Sequence, residues 1–181
     1  MRLKILILGA NDRACLSVAR QLYRNNDVYV VTWEDLPIKY SRYIKGYYLL
    51  RPSIYFDVEG FVGKLERLLE EQKYNILIPI NDSSLEICNY YKKIIERHTK
   101  IICMPDENSY KYSHNKYNLI SLSGSLGINI PKSILLNNID DLEELIISIK
   151  YPVVCKPIYS RVIKDNKMYS NRVLIARDEI M

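Results

Sequence analysis

The run Leu3–Leu8, apolar except for Lys4, stops at Gly9. Unbroken apolarity without alternation belongs to a strand buried on both faces, which is the setting of a parallel sheet. The theme then repeats along the chain. Asn11 or Asp12 can cap a helix, and Cys15, Val18, Ala19 and Leu22 recur at helical spacing and give one apolar face. Asn25-Asn26-Asp27 breaks that helix, Val28–Trp33 reads as a second strand and Tyr47–Leu50 as a short third. Phe61, Val62, Leu65, Leu68 and Leu69 mark an amphipathic helix, and Ile76–Ile80 a fourth strand. Leu85, Cys88, Tyr91 and Ile95 mark the next helix, and Lys100–Met104 a fifth strand. Strand and helix alternating in this way predict an α/β fold: an open parallel sheet with helices on both faces.

The pattern changes near residue 105. "PDENSYKYSHNKYN" is polar and weakly periodic and reads as a linker, followed by a helix through Leu119, Ile120, Leu122 and Leu126 that ends at Gly127, a natural C-cap. "GINIPKSILL" reads as extended. A further helix is expected through Leu142, Leu145, Ile146 and Ile149, and a closing hairpin from Pro152–Cys155 and Val173–Ala176. The boundaries expected are a sheet domain over 1–110 and a small α+β lobe over 111–181. The lobe's two helices and three short strands offer too little apolar surface to close a core of their own, so it reads as incomplete.

Composition narrows the function classes. At 48% hydrophobic and 26% charged the chain is globular rather than disordered. The net charge of +5 is mild and spread along the sequence; it suits an anionic small molecule and a solvated surface more than a nucleic-acid face. Cys15, Cys88, Cys103 and Cys155 form no C-x-x-C pair, and with only His98 and His114 present no Cys/His metal cluster is expected. The N-terminal apolar run is too short for a secretory signal. No stretch approaches the roughly 20 apolar residues of a membrane span. A cytoplasmic protein with no membrane partner is the expectation.

Two loops sit where a sheet of this kind binds ligands, beyond the carboxyl ends of its strands. Gly9-Ala10-Asn11-Asp12 comes after the first strand, with Gly9 and Asn11 as candidate substrate contacts. It holds one glycine where a G-x-G-x-x-G loop holds three, so a plain structural turn explains it as well. Asn81 and Asp82 come after the fourth strand; a ligand contact and a simple helix cap both fit them.

The more specific signal is an ordered pair of motifs: Lys116, Leu122, Leu126-Gly127-Ile128 and Pro131-Lys132, then Tyr151-Pro152-Val153-Val154 and Lys156-Pro157. Placed behind "LKILILGAND" and "ILIPINDSSLEI", this order resembles the ATP-grasp superfamily, specifically its carbamoyl-phosphate-synthase-like carboxylate ligases. The resemblance covers essentially the whole chain. It implies a Rossmann-like pre-ATP-grasp domain followed by the first lobe of the ATP-grasp domain. It further implies that Lys116 and Lys156 contact the ATP phosphates, and that the segment after Lys156, with Arg161, is a flexible lid over them. A lysine at a strand end, stem buried and ammonium in a cleft, suits phosphate oxygens.

The sequence departs from the family pattern in three ways. Asn115 stands where Asp is usual, and residues 158–172 contain no glycine but carry Arg161, Lys164, Lys167 and Arg172. The carboxylates and Asn that hold Mg²⁺ in the family come from beyond this stretch, and Asp140-Asp141 and Glu143-Glu144 read as a helix start rather than a substitute. The expectation is therefore the N-terminal part of an ATP- and Mg²⁺-dependent carboxylate–amine ligase working through an acyl phosphate on a small carboxylate substrate. It would be a cloned piece, a truncated gene or one part of a split protein, inactive alone, and prone to form a homodimer or to join a complementary chain. The alternatives are a stand-alone Rossmann-like domain binding a nucleotide or a partner, and a degenerate NAD(P)-dependent oxidoreductase using Gly9 and Glu34.

Overall fold

The computed structural model describes residues 2–138, 140–141 and 149–178. The chain divides into two compact units, Met1–Met104 with Arg161–Tyr169, and Pro105–Ser160 with Ser170–Met181.

The first unit is built on five parallel strands, β1 (Lys4–Leu8), β2 (Asp27–Thr32), β3 (Gly46–Leu49), β4 (Ile76–Pro79) and β5 (Lys100–Ile101), in the order β3-β2-β1-β4-β5. Helix α1 (Asp12–Leu22) connects β1 to β2, α2 (Val58–Gln72) connects β3 to β4, and α3 (Asp82–Tyr90) and α4 (Lys92–Ile95) lead to β5. β1 lies between β2 and β4, with Leu6 opposite both Tyr29 and Leu77. Its side chains divide by the two-residue period of a strand. Leu6 and Leu8 pack with Trp33, Phe61, Leu65, Leu77 and Ile87, while Ile7 packs with Cys15, Ala19, Val28 and Val30. This is the two-sided burial that the unbroken apolar run implied. Lys4, the one charge in the run, sits at the strand's start. Its ammonium donates to the Gln72 carbonyl at 2.6 Å and lies over the Tyr29 and Tyr74 rings.

The helix starts are made by short polar side chains. Asn11 accepts from the Ala14 N–H, Asp57 from Gly60 and Asn81 from Ser84, each bond satisfying a donor with no partner inside its helix. β5 stops at Ile101, short of the expected Met104, and Cys103 takes a positive φ of 62°.

A hairpin of β7 (Arg161–Lys164) and β8 (Lys167–Ser170) also belongs largely to this unit. Asp165 and Asn166 both have positive φ, 49° and 58°, as a two-residue turn matched to strand twist requires. Residues 158–172 were expected as a glycine-free lid within the closing hairpin; the turn pair makes most of them a hairpin of their own.

The second unit contains α5 (Glu107–His114), α6 (Lys116–Ser125) and a two-stranded antiparallel sheet of β6 (Val153–Cys155) and β9 (Leu174–Ala176), with Val154 opposite Ile175. The sheet matches the expected closing pair, and Gly127 (φ 75°) ends α6 as anticipated. The expected linker is in part α5. Its stability comes from an Asp106 cap on the Ser109 N–H and a Tyr110–His114 ring stack at 5.0 Å, not from apolar periodicity. No strand forms among residues 127–137, and the helix expected around Leu142–Ile149 lies mostly outside the described residues. None of the described residues of this unit is fully buried. No helix among the described residues is long and apolar enough to cross a membrane.

This core makes two testable demands. Leu6→Ala is expected to lower the unfolding free energy by about 2–5 kcal/mol, while exposed Phe56→Ala changes it by less than about 0.5 kcal/mol. Urea titration followed by the single tryptophan, Trp33, measures both. Burial pushes the Cys15 thiol up to about 11 and the Cys88 thiol up to about 12, whereas Cys103 and Cys155 are exposed. A thiol reagent at neutral pH is expected to label two cysteines quickly and the other two only on unfolding.

Candidate functional site

In the order β3-β2-β1-β4-β5 the chain leaves β1 toward one side of the sheet and later returns to build the other side from β4. The loops after β1 and β4 therefore flank the point where strand order reverses, the usual ligand crevice of an open parallel sheet. Gly9 is required there. Its φ is 149°, and a Cβ would sit 2.4 Å from Ile80 Cγ2 and 3.4 Å from Asn81 Oδ1. The two loops thus touch, although they are far apart in sequence.

Both asparagines act as helix caps. Asn11 Oδ1 accepts from the Ala14 N–H at 3.1 Å. Asn81 Oδ1 accepts from the Ser84 N–H at 2.9 Å, while Ser84 Oγ accepts from the Asn81 N–H at 3.0 Å, a reciprocal capping box. Asp12 Oδ1 accepts from the Ile38 N–H at 2.7 Å, and Asp82 stands in the first turn of α3. The crevice therefore presents two capped helix N-termini, α1 and α3, side by side.

Next to Asn81 and Asp82 lies Ser83, buried, whose Oγ accepts from Arg161 Nε at 3.1 Å. Arg161 arrives on the hairpin, and the hairpin is held on α2. The Val58 N–H donates to the Asn166 carbonyl at 2.9 Å, the Glu59 N–H to Asn166 Oδ1 at 2.7 Å, and Asn166 Nδ2 to the capping Asp57 carboxylate at 2.9 Å. Farther along, the Met168 N–H donates to the Ile54 carbonyl at 2.9 Å and the Met168 side chain joins the core. The segment expected to be a flexible lid is a hairpin clasped to the first unit, because its tip completes the α2 cap. Sequence reasoning took Ser83 only as a possible helix cap and passed over Asn166; the Asp165-Asn166 pair was the visible turn signal.

In the second unit, Lys116 opens α6, with Asn115 as its N-cap. Lys116 Nζ donates to the Pro157 carbonyl at 3.0 Å and to Ser160 Oγ at 2.8 Å, and the Lys116 N–H donates to the Ile158 carbonyl at 3.1 Å. Asn115 Nδ2 donates to the Tyr159 hydroxyl at 3.0 Å, and the His114 and Tyr159 rings lie 5.2 Å apart. Residues 114–116 therefore grip 157–160, the segment directly after Lys156, and Lys156 itself is exposed at the end of β6. Lys116 and the Lys156 strand belong to one unit and Arg161 to the other. Among the described residues no three His, Cys, Asp or Glu gather as metal ligands.

No protein-family model and no curated sequence matches the chain. Solved structures do. The biotin carboxylase domain of Hydrogenobacter thermophilus 2-oxoglutarate carboxylase, bound to MgADP, ADP and bicarbonate, matches 99% of this chain at 13% identity and a TM-score of 0.64. N5-carboxyaminoimidazole synthetase from Staphylococcus aureus, complexed with ADP, matches 99% at 14% identity and 0.60. The L-amino acid ligase of Bacillus licheniformis matches 98% at 16% identity and 0.66. The chain therefore shares the fold of a part of each of these three proteins. It spans 38% to 43% of the length of these three solved chains, less than half of each.

The clasp on α2 gives its own test. Asn166→Gly keeps the positive φ but removes both side-chain bonds, so residues 161–169 are expected to open more readily, by about 1–3 kcal/mol. Amide hydrogen exchange at Met168 measures this against the Ile7 amide in β1, which should not change.

Proposed function

We propose that this chain is the nucleotide-phosphate-holding, N-terminal portion of a cytoplasmic ATP-dependent carboxylate–amine ligase of the carbamoyl-phosphate-synthase-like kind. ATP supplies the phosphoryl group that converts a small carboxylate substrate into an acyl phosphate in that class of reaction. The observation that carries the reading is the grip of Lys116 on residues 157–160, within a fold that matches ATP-grasp enzymes over 98% to 99% of this chain.

The residues present fit phosphate. Lys116 is fixed through Pro157 O and Ser160 Oγ beside the strand end that carries exposed Lys156, and compact ammonium groups suit phosphate oxygens as point charges. Gly9, Asn11, Asn81 and Asp82 are assigned to the carboxylate substrate. Helix N-termini favour anions, and the Gly9 backbone allows a close approach. The Mg²⁺ ligands are assigned, on the family resemblance, to parts of the enzyme outside this chain.

Calorimetric titration tests the reading. ATP is expected to bind the chain, and Lys116→Ala and Lys156→Ala are each expected to weaken binding about tenfold, the loss of one charge-assisted contact. Equal affinity in both variants overturns the lysine assignments. NADH binding in place of ATP overturns the ligase reading. ATP hydrolysis by the chain above the Lys156→Ala background overturns its assignment as a part that is inactive alone.

A further inference from the structure

A second cavity of the first unit lies at the opposite end of the sheet, where strands begin. It is lined by Arg2 before β1, Tyr23 and Arg24 after α1, and Arg42, Tyr43 and Lys45 before β3, and its volume is about 430 Å³. That is within the range of roughly 300–1,000 Å³ typical of small-molecule sites.

Its charge is unbalanced. Arg2, Arg24, Arg42 and Lys45 line it, and the carboxylate that meets these cations is Asp27, 2.8 Å from Lys45 and 3.6 Å from Arg2. Among the described residues no carboxylate forms an ion pair with Arg24 or Arg42. Four lining cations against one acid leave three positive charges around one hollow. Like charges gathered this closely repel, and an anion between them relieves the repulsion.

The cations are also held in place. Arg2 Nη2 donates to the Arg24 carbonyl at 3.1 Å. The Arg20 and Arg42 guanidinium groups lie 5.3 and 5.2 Å from the centre of the Tyr43 ring, which meets Tyr23 edge-on at 4.8 Å. Tyr43 thus orients Arg42, which lines the cavity, and also Arg20, which does not; the Arg42 guanidinium is a planar fork of donors matched to phosphate oxygens. Consistent with this surrounding charge, the Tyr43 hydroxyl is held below its ordinary range, chiefly by its hydrogen bond with Arg42.

We propose that this cavity is a binding site for an organic diphosphate of nucleoside-diphosphate size, separate from the crevice at the carboxyl ends of the strands. Three unbalanced positive charges match a diphosphate ester, and a hollow of about 430 Å³ between three loops suits a compact ligand better than an extended strand of nucleic acid.

The test is calorimetric titration of the intact chain with ADP in the absence of Mg²⁺. Three proteins are compared: the unsubstituted chain, Arg24→Gln/Arg42→Gln, and Lys116→Ala/Lys156→Ala. The arginine pair is expected to weaken ADP binding at least tenfold without lowering the melting temperature, because both side chains are crowded by like charge and neither is buried. The lysine pair is expected to keep this binding. Retained affinity in the arginine variant, or ADP binding lost only in the lysine variant, overturns the proposal. Two further results overturn it: sulfate at matched ionic strength displacing ADP as well as pyrophosphate does, or a 15-nucleotide single-stranded RNA binding more than tenfold tighter than ADP. Loss of ATP binding in the lysine variant with ADP binding intact bears on the ATP assignment and supports this second site.

Discussion

The first unit depends on β1 being buried on both faces. Leu6 and Leu8 enter one apolar cluster and Ile7 the other, and each such side chain contributes about 1.5–3 kcal/mol on leaving water. A strand in that position must have neighbours on both sides, β2 and β4, and the chain reaches them through crossovers in opposite directions. The reversal of strand order, and with it the crevice between the Gly9 and Asn81 loops, is a consequence of that burial. The site is where it is because the core is where it is.

Within the crevice the loop asparagines carry the helix starts. Asn11 and Asn81 had two explanations in the sequence, helix cap and ligand contact. The geometry gives the first explicitly, since both side-chain oxygens accept backbone N–H groups. Capping does not exhaust a helix N-terminus, which has four backbone donors without partners inside the helix and a cap that satisfies only one or two. The remaining dipole is what an anion would meet.

Legibility in the sequence tracks the physics that made each element. β1, β2 and β4 were plain because near-continuous apolar runs fill strands buried on both faces, and α2 because its apolar residues recur at helical spacing. Helix α5 was missed because it has no buried residue; a cap and a ring stack hold it, and neither has a hydrophobic period. The contact between Gly9 and Asn81 was invisible because it joins two loops through strand pairing, not through proximity in the chain. Lys116 was legible by motif, yet its acceptors, a backbone carbonyl and a serine hydroxyl, leave no motif of their own.

The hairpin shows how a turn built without glycine commits its backbone. A glycine-rich loop meets phosphate through open backbone N–H groups, since nothing projects from the chain to keep an anion away. Here the turn is made by Asp165 and Asn166, residues that tolerate positive φ and whose side chains also bond. Its backbone groups are committed: β7 and β8 pair with each other, the Asn166 carbonyl receives the Val58 N–H, and the Met168 N–H goes to Ile54. What the hairpin has to offer an anion is therefore side-chain charge, on Arg161, Lys164 and Lys167. Such contacts are longer in reach and more sensitive to salt than a backbone cradle. A hairpin of this kind, tied to α2 and Ile54 by its own hydrogen bonds, holds its shape without a ligand.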